Sequence, residues 1–192
     1  MKKSLYEYIV RNSNENCENK DVIQFGIQMF QMLSVSMMVA LAIALCMKML
    51  AEAVVFLLVL IPLRQNAGGY HAKHKTTCAI MSMLIYICSL IIIKYYGINS
   101  MVQLFLCLID SYVIMYFSPV ENINNELDDK EREVYKNRTR NILIFELLIY
   151  MLLFVSYKQY WSGIIIMSIT VVSALVYIGY LQNNIINKRW VE

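Results

Sequence analysis

The sequence predicts an all-α fold, a polytopic integral membrane helical bundle of about six transmembrane helices preceded by an N-terminal interfacial helix. Three observations predict it. Of the 192 residues, 59% are hydrophobic and only 16% charged, with a mean hydropathy of +0.51, whereas a soluble domain carries about 45–50% apolar and about 25% charged residues. Apolar stretches of about 20 residues, the length that crosses a bilayer as a helix, recur along the chain. The 17 Lys and Arg are grouped in some of the connections between those stretches and sparse in the others. This composition excludes an ordinary cytosolic enzyme, a disordered chain and a nucleic-acid-binding module, and a formal charge of +3 is too small to argue for an acidic partner.

The elements follow in order. Residues 1–26 mix charge with apolar side chains at Leu5, Tyr8 and Ile9 and lack the order of a cleavable signal peptide, so they read as a cytoplasmic or interfacial segment. The stretch 27–47 is free of charge and long enough for one crossing. After Lys48 an apolar run resumes to Leu63, short for a span. One helix over 27–63 would be roughly 55 Å long at about 1.5 Å per residue, so two antiparallel helices turning near Lys48 are expected. A polar connection, 64–75, precedes a third apolar stretch at 76–93; Lys94 to Gly97 form a boundary, and a fourth helix over 100–118 contains Asp110 and ends at Pro119. Residues 119–141 read as a polar connection with partial helical character, and 142–157 and 160–181 complete six spans of a single membrane domain over 1–192.

Six crossings put both termini on one side, and the basic residues say which. Four Lys or Arg lie before residue 27, three in 64–75, five in 119–141 and two after 181, against only Lys48, Lys94 and Lys158 in the alternate connections. The positive-inside rule therefore expects a multi-pass protein of the cell membrane with both termini, the 64–75 connection and the 119–141 connection in the cytoplasm. Tyr95, Tyr96, Tyr157, Tyr160 and Trp161 fall at the expected outer ends, where aromatic belts form. Five cysteines, an odd count, do not suggest a disulfide framework; Cys46, Cys88 and Cys107 read as small buried hydrophobes and Cys17 as a free thiol.

Chemistry concentrates in one connection. Both histidines, His71 and His74, lie in RQNAGGYHAKHKTTC, residues 64–78, which ends at Cys78. A cysteine nucleophile reacts as its thiolate, a form favoured by imidazole and cationic neighbours such as Arg64, Lys73 and Lys75. A helix beginning near Thr76 would put Cys78 in its first turn, where the helix dipole also favours negative charge. Gly68 and Gly69 permit positive φ and close approach of another backbone. On one uninterrupted helix His74, four residues before Cys78, would be its neighbour, whereas His71 would lie roughly 10 Å away along the axis; His71 can serve only if the backbone leaves helical geometry.

The segment Arg64, Ala67-Gly68-Gly69, His71-Ala72, Cys78 resembles the catalytic motif of the accessory gene regulator B (AgrB) family, membrane cysteine endopeptidases that process a quorum-sensing pheromone precursor. The resemblance extends to chain length, the hydrophobic plan and a Ser-Pro-Val-Glu-Asn stretch, residues 118–122, before a charged connection. It implies His71 as base and Cys78 as nucleophile, with Arg64 and Gly69 at further motif positions and His74 outside the motif. It also implies covalent catalysis, in which Cys78 displaces the carboxy-terminal segment of a small precursor peptide as a thioester. An internal thiol or hydroxyl of the precursor then closes a (thio)lactone. The expected partners are that precursor, with its amphipathic leader on the bilayer surface, the lipid bilayer itself and a second copy in a homodimer, and no nucleic acid.

Other readings weigh less. Asp110, and less so Glu146, are ionisable groups inside expected spans, where such groups are costly and often functional; Asp110 is a candidate to orient the imidazole. His71, His74 and Cys78 make three of the four ligands a structural zinc ion needs, so no metal or cofactor is expected. A non-catalytic peptide exporter is the alternative class, weakened because neither a phosphate-binding Gly-Lys loop nor an inverted repeat is present.

Overall fold

The computed structural model describes residues 20–69, 75–120 and 128–189, and the expected N-terminal interfacial helix lies outside them. Six helices account for nearly all of the described chain: α1 (Lys20–Met47), α2 (Leu50–Ala67), α3 (Lys75–Tyr95), α4 (Ser100–Phe117), α5 (Asp129–Val155) and α6 (Gln159–Arg189). Four contain segments long and apolar enough to cross a membrane: Leu50–Ala67, Thr77–Tyr95, Ser100–Phe117 and Gln159–Asn184. The chain divides into two compact units, Met1–Ile43 and Ala44–Glu192. The described part of the first is the helical stretch from Lys20, which exposes Phe30, Leu33, Val35, Met38 and Val39.

Within the second unit α6 is the hub. It packs against α2, α3, α4 and α5, while α5 also meets α2 and α4. The apolar window of α6 is 56% buried, against 22% in each of the other three apolar segments. A helix that is hydrophobic all round belongs in the interior, and the run from Ile164 to Val176 fits that rule. Ile165, Ile166, Ile169, Val172 and Val176 of α6 pack with Leu63 and Ala67 of α2, Ile114 of α4 and Leu143 and Tyr150 of α5. The surrounding helices turn large apolar side chains outward, as Phe105, Leu108 and Tyr112 do on α4, the arrangement expected of a bundle bathed in lipid rather than water.

The connections at one end are tight. Lys48 and Tyr157 both take positive φ, 57° and 59°. Each follows a helix closed by the same pair of bonds, Lys48 N–H to Leu45 O with Met49 N–H to Ala44 O, and Tyr157 N–H to Phe154 O with Lys158 N–H to Leu153 O. This is the Schellman closure, which satisfies carbonyls left open at a helix end. Adopted by residues other than glycine, it costs roughly 1–2 kcal/mol each. The expected turn near Lys48 is thus observed. Lys94 Nζ donates to Met47 O at 2.9 Å, and Tyr160 Oη donates to Glu52 Oε1 at 3.0 Å. Deeper at this end Gln103, fully buried, donates to Ile98 O (2.8 Å) and Gln159 O (3.1 Å) and accepts from Ser162 Oγ (2.8 Å). One carboxamide therefore ties the start of α4 to the start of α6.

Several helices run beyond the apolar stretches. α2 continues through Arg64, Gln65 and Asn66 to Ala67, with Asn66 Nδ2 bonded back to Pro62 O at 2.8 Å. α5 begins at Asp129, well before its apolar half, because Asp128 and Glu131 form a capping box that nucleates the charged first turns.

Candidate catalytic loop

The opposite end of the bundle gathers the motif residues. Arg64 lies half-buried in the last turn of α2, and its Nη1 donates to the carbonyl of Gly68, which caps that helix. Gly68 has φ +71° and Gly69 φ +118°, backbone that side-chain-bearing residues rarely adopt. Space forbids a side chain as well. A Cβ on Gly68 would collide with the carbonyl of Val120, and one on Gly69 would stand 2.6 Å from Arg64 Nη1 and 2.8 Å from Leu175 O. The two glycines thus let the chain leaving α2 pass between the Arg64 guanidinium, the backbone of α6 and the segment after α4.

That last segment braces the turn. Ser118 ends α4, and beyond it Val120 N–H donates to Ala67 O at 3.0 Å while Ser118 Oγ donates to the same oxygen at 3.3 Å. Val120 pairs with Gly68 in an isolated parallel bridge. Ser118, Val120, Ala67 and Gly69 are all buried, so the end of α2 is pinned in the interior. Cys78 is the fourth residue of α3, in the first turn, as the sequence predicts, and its free thiol is half-buried. His71 and His74 lie outside the described residues. Arg64, Gly68 and Gly69 therefore form one packed turn with Val120 and Leu175, and Cys78 opens the helix that follows it in the chain.

Asp110 is placed elsewhere, in the middle of α4 facing α6. Its Oδ2 accepts from Thr170 Oγ1 at 2.6 Å, and Ser173 bonds it too. One turn nearer the start of α4, buried Cys107 belongs to the same core cluster as Tyr150 of α5. Glu146 Oε2 and Tyr150 Oη, one turn apart on α5, find no hydrogen-bond partner among the described residues. The interior thus holds a polar layer distinct from the loop. Among the described residues no group of three or more His, Cys, Asp or Glu side chains assembles as a metal site would.

Sequence reasoning missed Leu175 and the bracing role of Ser118 and Val120. The Ser118-Pro119 step was visible as a helix stop, but pairing of its neighbours with Ala67 is a contact across fifty residues that no local pattern reports. Thr170 and Ser173 carry a signal that was there to use: two hydroxyl residues three apart, and so close in angle, on a mostly apolar helix.

A helical membrane protein with a half-buried thiol at a helix start, beside an arginine-clamped Gly-Gly turn, is the class that this fold and site define. The model of the family Accessory gene regulator B matches residues 2–178, and the chain belongs to that family. It is 25% identical over 169 residues to an AgrB-like protein 2 of Clostridium perfringens strain 13, covering 83% of this chain and 79% of the relative. It is 24% identical over 171 residues to an AgrB-like protein of Clostridium perfringens strain SM101, covering 84% and 80%. No solved structure matches the chain significantly.

Proposed function

We propose that the protein is a membrane cysteine endopeptidase that cleaves the carboxy-terminal segment from a small pheromone precursor and cyclises the remainder to a (thio)lactone for quorum sensing. The observation that carries this reading is the position of Cys78, half-buried in the first turn of α3. Family membership supports it, and the resemblance of the Gly68-Gly69-x-His71-Ala72 segment to the family motif points to His71 as the base. The chain crosses the cell membrane six times, with both termini and the loop in the cytoplasm, where the precursor's amphipathic leader lies on the bilayer surface. It works as a homodimer and needs no metal or cofactor.

Chemistry proceeds in two displacements. The His71 imidazole takes the Cys78 proton, and the sulfur adds to the scissile carbonyl; the peptide C–N bond breaks, and the imidazolium returns a proton to the leaving amine. The precursor is now a thioester on Cys78. An internal thiol or hydroxyl of the precursor, giving up its proton to the imidazole, attacks the thioester carbonyl and releases Cys78 as a thiol. Exchange keeps the acyl group activated where hydrolysis would discard it, so the pocket must favour the internal nucleophile over water.

The test is co-expression with the precursor and mass spectrometry of its products. Cys78→Ala and His71→Ala abolish release of the carboxy-terminal segment, and His74→Ala retains it. Cyclic product persisting in Cys78→Ala would favour an exporter of peptide made elsewhere, and loss in His74→Ala with activity in His71→Ala would reassign the base.

A further inference from the structure

At the end of the bundle that carries the glycine turn, α4 and α5 leave a shallow notch between them. Its polar wall is Ser118, Lys136, Thr139 and Arg140, and its apolar wall is Ile114, Met115 and Leu143. On both helices the polar residues lie nearer the aqueous end and the apolar ones deeper, so the notch is graded along the bundle as a lipid is. Lys136 and Arg140, four apart on one helix face, are exposed. They stand six and two residues before Ile142, where the apolar half of α5 begins, which is the depth of a headgroup layer. The acids of the first turns of α5, Asp129, Glu131 and Glu133, all precede them. Thr139 and Ser118 are buried, 2% and 6% exposed. Each hydroxyl donates to a backbone carbonyl, Thr139 to Tyr135 O at 2.9 Å and Ser118 to Ala67 O at 3.3 Å. With their protons committed, both oxygens are left as acceptors beside two cationic donors.

We propose that this notch binds the headgroup of an anionic phospholipid of the phosphatidylglycerol type, with Lys136 and Arg140 on the phosphate and the Ser118 and Thr139 oxygens accepting from the glycerol hydroxyls. Charge-assisted bonds from both cations suit a phosphate, and basic pockets between helices at the cytoplasmic surface are where anionic headgroups bind. The notch has room for little more than one water-sized group, so the rest of a bound molecule lies outside it. Outside is an apolar surface: Tyr112, Met115 and Tyr116, spaced along one face of α4, are all exposed. That surface suits acyl chains and offers nothing to a free phosphate. Because Ser118 also holds the Ala67 carbonyl, a seated headgroup covers the brace of the glycine turn. The inference needs only that this end of the bundle meets a bilayer surface, and it is independent of the role of Cys78.

The experiment is native mass spectrometry of the full-length protein in neutral detergent, titrated with phosphatidylglycerol or with phosphatidylcholine of the same acyl chains. Wild type is compared with Lys136→Gln/Arg140→Gln and with Lys130→Gln/Arg138→Gln, which removes the same charge from exposed positions of α5 outside the notch. Wild type retains about one phosphatidylglycerol more than phosphatidylcholine. Lys136→Gln/Arg140→Gln binds it about 25-fold more weakly, about fivefold for each cation lost, and the matched variant stays within about threefold of wild type. Equal retention of the two lipids overturns the proposal, and so does an equal loss in both double variants, which is diffuse attraction rather than a site. Release of the retained lipid by an equimolar amount of inorganic phosphate or of hexaglutamate also overturns it, giving the notch to a soluble phosphate or to an acidic peptide. If Lys136→Gln/Arg140→Gln does not fold, Lys136→Glu decides, since it reverses a charge at an exposed position: loss of the extra phosphatidylglycerol supports the site, and wild-type retention overturns it.

Discussion

Gly69→Ala is the substitution for which the structure yields a worked magnitude. The added Cβ would lie 2.6 Å from Arg64 Nη1 and 2.8 Å from Leu175 O, so the first contact is about 0.8 Å closer than comfortable packing allows. The backbone adds strain: φ +118° is glycine territory, and a residue held in such a region costs roughly 1–3 kcal/mol. Leu175 belongs to the most buried helix and cannot withdraw, so relief falls on the Arg64 side chain, which lets go of the Gly68 carbonyl. Loss of a hydrogen bond from a charged donor adds about 1.5–3 kcal/mol. The damage is local, a few kcal/mol in all, and a displacement near 1 Å at a reacting site can cost about 100-fold in rate. The expected result is a melting temperature lowered by several degrees, with precursor cleavage reduced at least tenfold beyond what the loss of folded protein explains. Circular-dichroism melts beside a cleavage time course on the same preparation read both. Wild-type cleavage and melting in Gly69→Ala would refute the packing described around this turn.

Two further outcomes are expected. Thr170→Val removes the 2.6 Å bond to the Asp110 carboxyl without changing side-chain volume; it should cost about 1–3 kcal/mol, seen as a melting temperature lower by several degrees, and an unchanged melt would mean that Asp110 finds its partners elsewhere. In a cysteine-free background, Lys158→Cys should react with a membrane-impermeant maleimide on intact cells and Lys136→Cys only after permeabilisation; the reverse pattern would invert the proposed topology.

What the sequence could and could not reveal follows from the range of each signal. Hydropathy located the apolar part of every helix, and the turns at Lys48, at 96–99 and at 156–158 fell where charge or glycine interrupted it. It could not locate helix ends that outrun the membrane. α2 persists to Ala67 because the side chains of Arg64 and Asn66 satisfy carbonyls of their own helix end, and α5 starts at Asp129 because a capping box replaces apolar burial as the reason to be helical. At the candidate site, residue types and the family resemblance single out Arg64, Gly68, Gly69 and Cys78, and the structure joins Arg64 to the Gly68–Gly69 turn and places Cys78 in the first turn of α3. What surrounds them was not legible, since Val120 and Leu175 contribute only backbone atoms, and a backbone carbonyl leaves no trace in residue identity. Asp110 was legible as unusual but not as bound to Thr170, because periodicity says that a face is buried without saying against which helix.

The central place of α6 has a consequence for biogenesis. Translation delivers α2, with its glycine turn, long before α6, yet Leu175, against which Gly69 rests, and Thr170 and Ser173, which bond Asp110, all arrive with the later helix. Until then the nascent bundle carries a buried-type carboxyl without its hydroxyl partners and a turn with one wall missing. The Cys78 thiol is therefore made early but housed late, and a ribosome stalled before α6 would leave in the membrane a chain with that thiol in place and no finished surroundings for the turn before it.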